Sequence, residues 1–329
     1  MRLPIRLARA AAVRCMIATA CPAAVRIAGS DGRQTVTWDA GGTLATECEL
    51  VLSTREGVPL IERMSVAGVD VLRAADLELS VTVGSRKPAL HTEPFRFVFF
   101  DKPASREHKR HVAELAREPL RAEASGGGRR VDVRVGKLTA GPFAGDLVVR
   151  VFDGSPLVQV TAGMAPTGEN VAYVYDAQVV GGGIGCVAWE ELGPRDEKPR
   201  LVRVEKMPAV ATPTAVRCRT IVGEFGGGGG GGGGGSVAVF PPPHAFFFPR
   251  DRTDNFMFAQ YGENRFGLRQ DPAGGGAFVP WIDAPAGKVQ RMDVFLLPSP
   301  TDAAGAIERA KRYTRSDRFA ALDGHRTFT

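Results

Sequence analysis

At 329 residues, with 44% apolar and 24% charged side chains, the chain has a globular composition and ample material for a core, enough for one large or two ordinary domains. Its formal charge of +6 is concentrated at the start, where Arg2, Arg6, Arg9, Arg14 and Arg26 precede the first acid, Asp31; the near-neutral remainder excludes a general nucleic-acid-binding surface. No apolar run approaches the ~18 residues of a transmembrane helix, so no membrane span is expected.

The Arg- and Ala-rich segment 1–30 has the character of a targeting segment or a disordered tail. Its apolar part, Cys15 to Val25, is short and broken by Pro22, and Ala18-Thr19-Ala20-Cys21 loosely resembles a lipoprotein cleavage box. Export is therefore expected, to a periplasmic, lipid-anchored or extracellular location. Cys48, Cys186 and Cys218 are far apart and form no C-x-x-C pair, which argues for buried thiols rather than a zinc site or a disulfide framework.

From Thr35 the pattern is β. Strands are predicted over Glu47 to Thr54, and over Leu60 to Val66 and Val69 to Leu72 on either side of the turn residues Ala67-Gly68. Leu77 to Val83 alternates strictly, with Leu77, Leu79, Val81 and Val83 on one face and Glu78, Ser80 and Thr82 on the other, the period of a half-buried antiparallel strand. Phe95 to Phe100 is a further strand. Ser105 to Arg117 breaks the pattern and is either helical or an exposed charged excursion; on a helix His108 and His111 would share a face, but Arg106, Lys109 and Arg110 around them repel a cation.

Alternation resumes at Leu120 to Ala124 and Arg130 to Val135, with Gly126 to Gly128 as the turn between them. Asp146 to Phe152, Leu157 to Ala162, Val171 to Val180, Cys186 to Trp189, Leu201 to Val204 and Ala215 to Val222 are predicted strands. Gly226 to Gly235 is an unbroken glycine run. A strand and not a helix follows it, so it is the loop of a hairpin rather than a phosphate cradle. Ala277 to Ile282 and Lys288 to Leu297 are the last strands. Ser299 then reads as the N-cap and Pro300 as the first residue of a helix whose apolar face is Ala303, Ala306, Ile307 and Ala310.

The fold class is thus mainly β: a large antiparallel β-sandwich or supersandwich over 31–298 with one C-terminal helix, and a helix-plus-linker segment over 299–329 that heads toward a domain absent from this chain.

The candidate site is the stretch Val237 to Asn255, VAVFPPPHAFFFPRDRTDN. Three prolines stop the strand, three phenylalanines follow, and then a dense polar group. His244, Arg250, Asp251, Asp254 and Asn255, with Tyr261 and Arg265 beyond them, are the clustered residues able to bind a sugar. Arg250 and Arg265 would clamp a uronate carboxylate, and His244, Asp251, Asp254 and Tyr261 are the nearest approach to an acid–base set. The alternative is a proline-stiffened strand exit whose phenylalanines fill the core and whose Arg250 pairs with Asp251. The expected partner is an acidic oligosaccharide. No cofactor and no metal are expected.

Four segments, TREGVPLIERMSVAGVDVL, GKLTAGPFAGDLVVRVFDGSPLVQV, VFPPPHAFFFPRDRTDN and YTRSDRFAALDGHRTFT, resemble large exported bacterial proteins. In these an N-terminal β-supersandwich, akin to galactose-mutarotase-like domains, precedes a metal-dependent domain of the polymerase-and-histidinol-phosphatase type. The resemblance implies a non-catalytic module whose partner is that downstream domain, with a histidine-rich metal motif directly after a tail like GHRTFT. A carbohydrate-active enzyme of mutarotase or polysaccharide-lyase type, acting through the 244–265 loop, and a purely structural exported domain are the other readings.

Overall fold

The computed structural model describes residues 25–41, 46–85, 107–191, 198–216, 218–226, 234–242, 257–270 and 281–314. Strands β1 (Arg26–Ser30), β2 (Arg33–Asp39), β3 (Glu47–Ser53), β4 (Ile61–Val66) and β5 (Val69–Ser85) form a meander, and β6 (His108–Val112) pairs with the far end of β5. β7 (Glu114–Ser125), β8 (Arg130–Ala140), β9 (Phe143–Phe152) and β10 (Ser155–Pro166) form a second meander in another sheet. β11 (Val171–Gly181) returns to lie beside β5. The chain then alternates between sheets through β12 (Ile184–Glu191), β13 (Arg200–Val204), β14 (Thr212–Val216), β15 (Ile221–Phe225), β16 (Ser236–Phe240), β17 (Met257–Gly262), β18 (Arg265–Arg269), β19 (Ile282–Ala284) and β20 (Gln290–Ser299). Helix α1 (Ala303–Thr314) follows and is the one helix among the described residues.

The result is a β-sandwich of two antiparallel sheets. The eleven-stranded sheet runs β1-β2-β3-β4-β5-β11-β18-β17-β14, with β6 added on β5 and β19 on β11. The nine-stranded sheet runs β13-β12-β15-β16-β20-β10-β9-β8-β7. One core lies between them, where Leu79 and Val81 of β5 and Tyr175, Ala177 and Val179 of β11 meet Val149 of β9, Val160 of β10 and Val294 of β20. Burying each such aliphatic side chain contributes about 1.5–3 kcal/mol. Tyr173 and Tyr175 enter this core with their hydroxyls satisfied, the first donating to Gln290 Oε1 (3.4 Å) and the second to the Asp293 carbonyl (2.9 Å).

Helix α1 covers the outer face of the nine-stranded sheet. Its buried residues Ala303, Ala306, Ile307 and Ala310, the face predicted from the sequence, pack on Leu157, Ala188, Val222, Ala238 and Leu297. The helix starts later than expected. Ser299 is the buried last residue of β20, and its hydroxyl pairs with that of Thr301 at 2.7 Å. Asp302 is the cap, accepting from Gly305 N at 3.0 Å, because the chain must first leave the sheet edge before it can turn. Glu224 of β15 accepts from Ala303 N at 2.6 Å and from both terminal nitrogens of Arg203. Burial works against its ionisation, yet Arg203 and the helix N–H together hold the carboxyl below its usual range.

Four further expectations are corrected. Val69 to Leu72 and Leu77 to Val83 are parts of one 17-residue strand. Ala215 to Val222 is two strands in different sheets, β14 and β15, because Cys218 turns into the core between them. Of the segment Ser105 to Arg117, the described part, 107–117, is largely strand: β6 pairs with β5 and β7 with β8. Residues 26–30, counted with the leading segment in the sequence, pair with β2. The predicted strand Phe95 to Phe100 lies outside the described residues. The glycine run does join a hairpin, with Glu224 opposite Ser236 and Phe225 N donating to Gly235 O at 3.1 Å.

Cys48, Cys186 and Cys218 are buried, and burial pushes the Cys48 thiol up to about 12, so it packs as a small hydrophobe.

Candidate functional site

From Ala75 onward in β5, and along β11, the pleat sends odd-numbered residues into the core and even-numbered ones outward. Register then assembles an outer face: Glu78 lies opposite Gln178, Ser80 opposite Asp176 and Thr82 opposite Val174. β18 sets Gly267 beside Gln178, and β17 sets Gln260 on the other side of Gly267. Arg265 and Arg269 flank Gly267 on the same face of β18, and β6 adds Arg110 opposite Thr82.

Asp176 is the centre of this face and is only 1% exposed. Its Oδ2 accepts from Ser80 Oγ and from Arg110 Nε, both at 3.0 Å, and its Oδ1 accepts from Gln270 N at 2.9 Å. Arg269 Nε stands 3.9 Å from Oδ2. Burial pushes the carboxyl up, against the opposing pull of Arg110 and Arg269. Gln178 Nε2 donates to Gln260 Oε1 at 2.9 Å, so the two amides meet across β18 directly over Gly267. A Cβ there would stand 2.9 Å from Gln178 Cγ and 2.2 Å from the Ala177 carbonyl oxygen, which is why the position is glycine. The same device recurs at Gly84, where the Trp281 ring lies against the backbone, 2.5 Å from where a Cβ would be. Trp281 packs on Ala172 and Val174 there and meets His108 edge-on, the ring centres 5.9 Å apart.

The outer rim is wetter. Glu78 Oε2 accepts from Arg265 Nη1 at 3.0 Å, and its Oε1 lies 3.7 Å from Arg110 Nη2. The side chains of Glu78, Arg110, Arg265 and Arg269 are between 21% and 29% exposed. Among the described residues, three guanidiniums thus face two carboxylates. Among the described residues, Gln178 Oε1, Arg265 Nε and Arg269 Nε are buried with no hydrogen-bond partner. A buried polar atom without a partner is costly, and three of them lie together on this face.

Of the residues predicted from the sequence, Tyr261 and Arg265 are described, and they do not share a face. Arg265 points outward to Glu78, whereas Tyr261 points inward and packs on Trp189 at 5.8 Å. His244, Arg250, Asp251, Asp254 and Asn255 lie outside the described residues. His108 and His111 are on a strand, where a spacing of three puts them on opposite faces, and His111 lies against Gly141 instead. Among the described residues no group of three His, Cys, Asp or Glu side chains could hold a metal ion. Likewise, no helix is long and apolar enough to cross a membrane.

The sequence reading missed the Asp176 cluster. Its signal was present: an aspartate and a glutamine interrupt the apolar strand Val171 to Val180, a pattern that a fully buried strand shows only where something satisfies them.

No protein-family model matches the sequence, and no curated protein matches it. Solved structures with a similar strand arrangement include the GH36 α-galactosidase AgaB from Geobacillus stearothermophilus, with a TM-score of 0.45 and 10% identity over 86% of this chain and 42% of that one. An α-galactosidase from Lactobacillus brevis is similar with a TM-score of 0.39 and 8% identity, over 84% of this chain and 39% of its own. The Slr1438 protein from Synechocystis sp. PCC 6803 has a TM-score of 0.33 and 10% identity, over 80% of this chain and 96% of its own. The chain spans less than half the length of these α-galactosidases.

Proposed function

We propose that this chain is a non-catalytic β-sandwich module that binds an acidic oligosaccharide on the outer face of its eleven-stranded sheet and supports a metal-dependent hydrolase or lyase domain downstream. The observation that carries the reading is the partly exposed rim of Arg110, Arg265 and Arg269 around Glu78, in which, among the described residues, the Nε atoms of Arg265 and Arg269 have no hydrogen-bond partner. A guanidinium fork matches a carboxylate with two parallel hydrogen bonds, and an amide such as Gln178 accepts from a hydroxyl. A uronate offers both groups on one ring. The segment bearing His244, Arg250, Asp251, Asp254 and Asn255 leads into Met257, one residue before Phe258, which pairs with Arg269; in this reading its side chains add further contacts to the same ligand.

The carboxylates argue for binding rather than catalysis. Asp176 is too deeply buried to reach a glycosidic oxygen, and Glu78 is engaged with Arg265. Among the described residues, two carboxyl groups poised on a substrate, as sugar hydrolysis needs, do not occur on this face.

Calorimetric titration of the chain with uronate-containing and neutral oligosaccharides tests the reading. Arg265→Ala removes a charge-assisted contact of about 1.5–3 kcal/mol and should weaken the acidic ligands roughly ten- to hundredfold. No heat from any sugar, with wild type and variant equally folded, would sink it. The coding sequence beyond Thr329 tests the second half: closely spaced histidines there support the metal-dependent partner.

A further inference from the structure

We infer that Glu78 occupies the seat of the ligand's carboxylate in the unliganded chain, and that it competes with the acidic sugar for Arg265. This rests on the binding reading above and sharpens it to one pair of side chains.

The two carboxylates of the face are held in different ways. Asp176 takes hydrogen bonds from Ser80, Arg110 and Gln270 N and is 1% exposed, so it cannot leave. Among the described residues Glu78 has one hydrogen bond, from Arg265 Nη1 at 3.0 Å, plus a longer ion pair with Arg110 at 3.7 Å, and its side chain is 23% exposed. The pair is partly exposed, so the glutamate can turn to water without leaving its carboxylate buried and unpaired.

Glu78 also uses the arginine incompletely. It engages one terminal nitrogen, while Arg265 Nε stays buried without a hydrogen-bond partner among the described residues. Once Glu78 swings out, the Arg265 side chain can turn its fork toward solvent, where a carboxylate takes Nε and a terminal nitrogen together, two parallel bonds in place of one. Charge favours the exchange as well. With Glu78 turned out, Arg110, Arg265 and Arg269 are left with Asp176 as the one carboxylate of the face among the described residues, and the face becomes a stronger anion site. The backbone need not move, because Glu78 is pinned opposite Gln178 in the ladder and only its side chain must swing.

A glutamate acting as a stand-in for the ligand has a signature that an ordinary structural ion pair lacks: its removal improves binding. Glu78→Gln should bind short oligogalacturonate about tenfold tighter than wild type, the effect of one displaced charge-assisted hydrogen bond. Neutral oligosaccharides of the same length should show no such gain. Glu78→Asp, which shortens the reach by one methylene, should also gain and serves if the glutamine variant fails to fold. Titration calorimetry on all three proteins, each checked by thermal melt, decides the matter. Wild type that binds while both variants bind equally or more weakly would overturn the competition and leave the binding reading standing. Binding seen only in the variants would support full self-occlusion. No binding in any of the three would overturn both.

Discussion

On the outer face of the nine-stranded sheet Asp132 and Arg150 make two parallel hydrogen bonds, Nε to Oδ1 at 2.6 Å and Nη2 to Oδ2 at 2.7 Å. The Arg150 hydrogen bonds, against the penalty of burial, hold the Asp132 carboxyl below its usual range. A carboxyl lowered on folding stabilises the protein above its unfolded value of ~3.9 and loses that contribution as pH falls through the lower folded value. Asp132→Asn should therefore cost about 1 kcal/mol at pH 7, a figure reduced for the partial exposure of the pair. It should also flatten the fall in stability between about pH 5 and pH 2, as urea melts across that range would show. An equal loss at every pH would mean that packing, not charge, was removed. Pairs of this kind were half legible. The alternation in Arg130 to Val135 puts Asp132 and Arg134 on the outward face, but which arginine meets which acid depends on strand register. The limit is sharper at Asp176, whose partners Ser80, Arg110 and Gln270 N lie 96, 66 and 94 residues away in the chain. A carboxylate inside an apolar strand announces that partners exist, and nothing in local spacing says where they are. Tyr261 and Arg265 look like neighbours in the sequence for the same reason. Only the β17–β18 hairpin, pairing Tyr261 with Phe266 and Gly262 with Arg265, shows that the pleat points them to opposite sides.

At the scale of elements, most strands were readable, because period-two alternation and turn residues are local properties. The β4–β5 turn is an instance: Ala67 and Gly68 both adopt left-handed backbone, at φ 51° and 75°, as a tight hairpin demands. The boundaries that failed are those set by tertiary context. Glu78, Ser80 and Thr82 read as a solvent face, yet Ser80 and Thr82 are buried, because polar residues from β6, β11 and β18 close over the middle of the sheet. Likewise, Ser299 and Pro300 carry a good helix-start signature and are overruled by the last rung of β20, where Ser236 pairs with Ser299. The β15–β16 hairpin offers the clearest test at this scale. Its register is fixed by Glu224 opposite Ser236 and by Ile221 opposite Val239, all within the ladder, so the glycines between need only close a loop. Loop closure changes by only roughly 0.6 kcal/mol per doubling of length. Shortening Gly226–Gly235 to about three residues, with Gly235 kept for its bond to Phe225 N, should thus change the unfolding free energy from a denaturant melt by less than about 1 kcal/mol. A loss of several kcal/mol would show that the run packs against the sandwich.

The whole molecule is held by a core that both sheets share. Val36, Leu50 and Val81 from one sheet and Val133, Val149 and Val294 from the other belong to a single buried cluster, far larger than the outer clusters under α1 and around Trp281. A sheet that loses its partner exposes a continuous apolar face, so partial unfolding along the sandwich plane is strongly unfavourable. The tryptophans are well placed to show this. Trp38 and Trp189 lie in the shared cluster, the first donating to the Ser155 carbonyl across the two sheets at 2.7 Å. Trp281 lies on the far side of the eleven-stranded sheet, on Ala172 and Val174. Those two residues belong to β11, whose alternate side chains Tyr173 and Tyr175 are in the shared core, so Trp281 should melt with the sandwich rather than ahead of it. Variants that keep one tryptophan each, the others replaced by phenylalanine, should give the same urea midpoint by fluorescence, and that midpoint should coincide with the far-ultraviolet circular dichroism. A Trp281 signal lost at lower urea than the dichroism would mean that the outer polar layer comes apart before the core. The Asp176 cluster would then be a loosely held surface, and the rigid arginine rim that the binding reading requires would be lost with it.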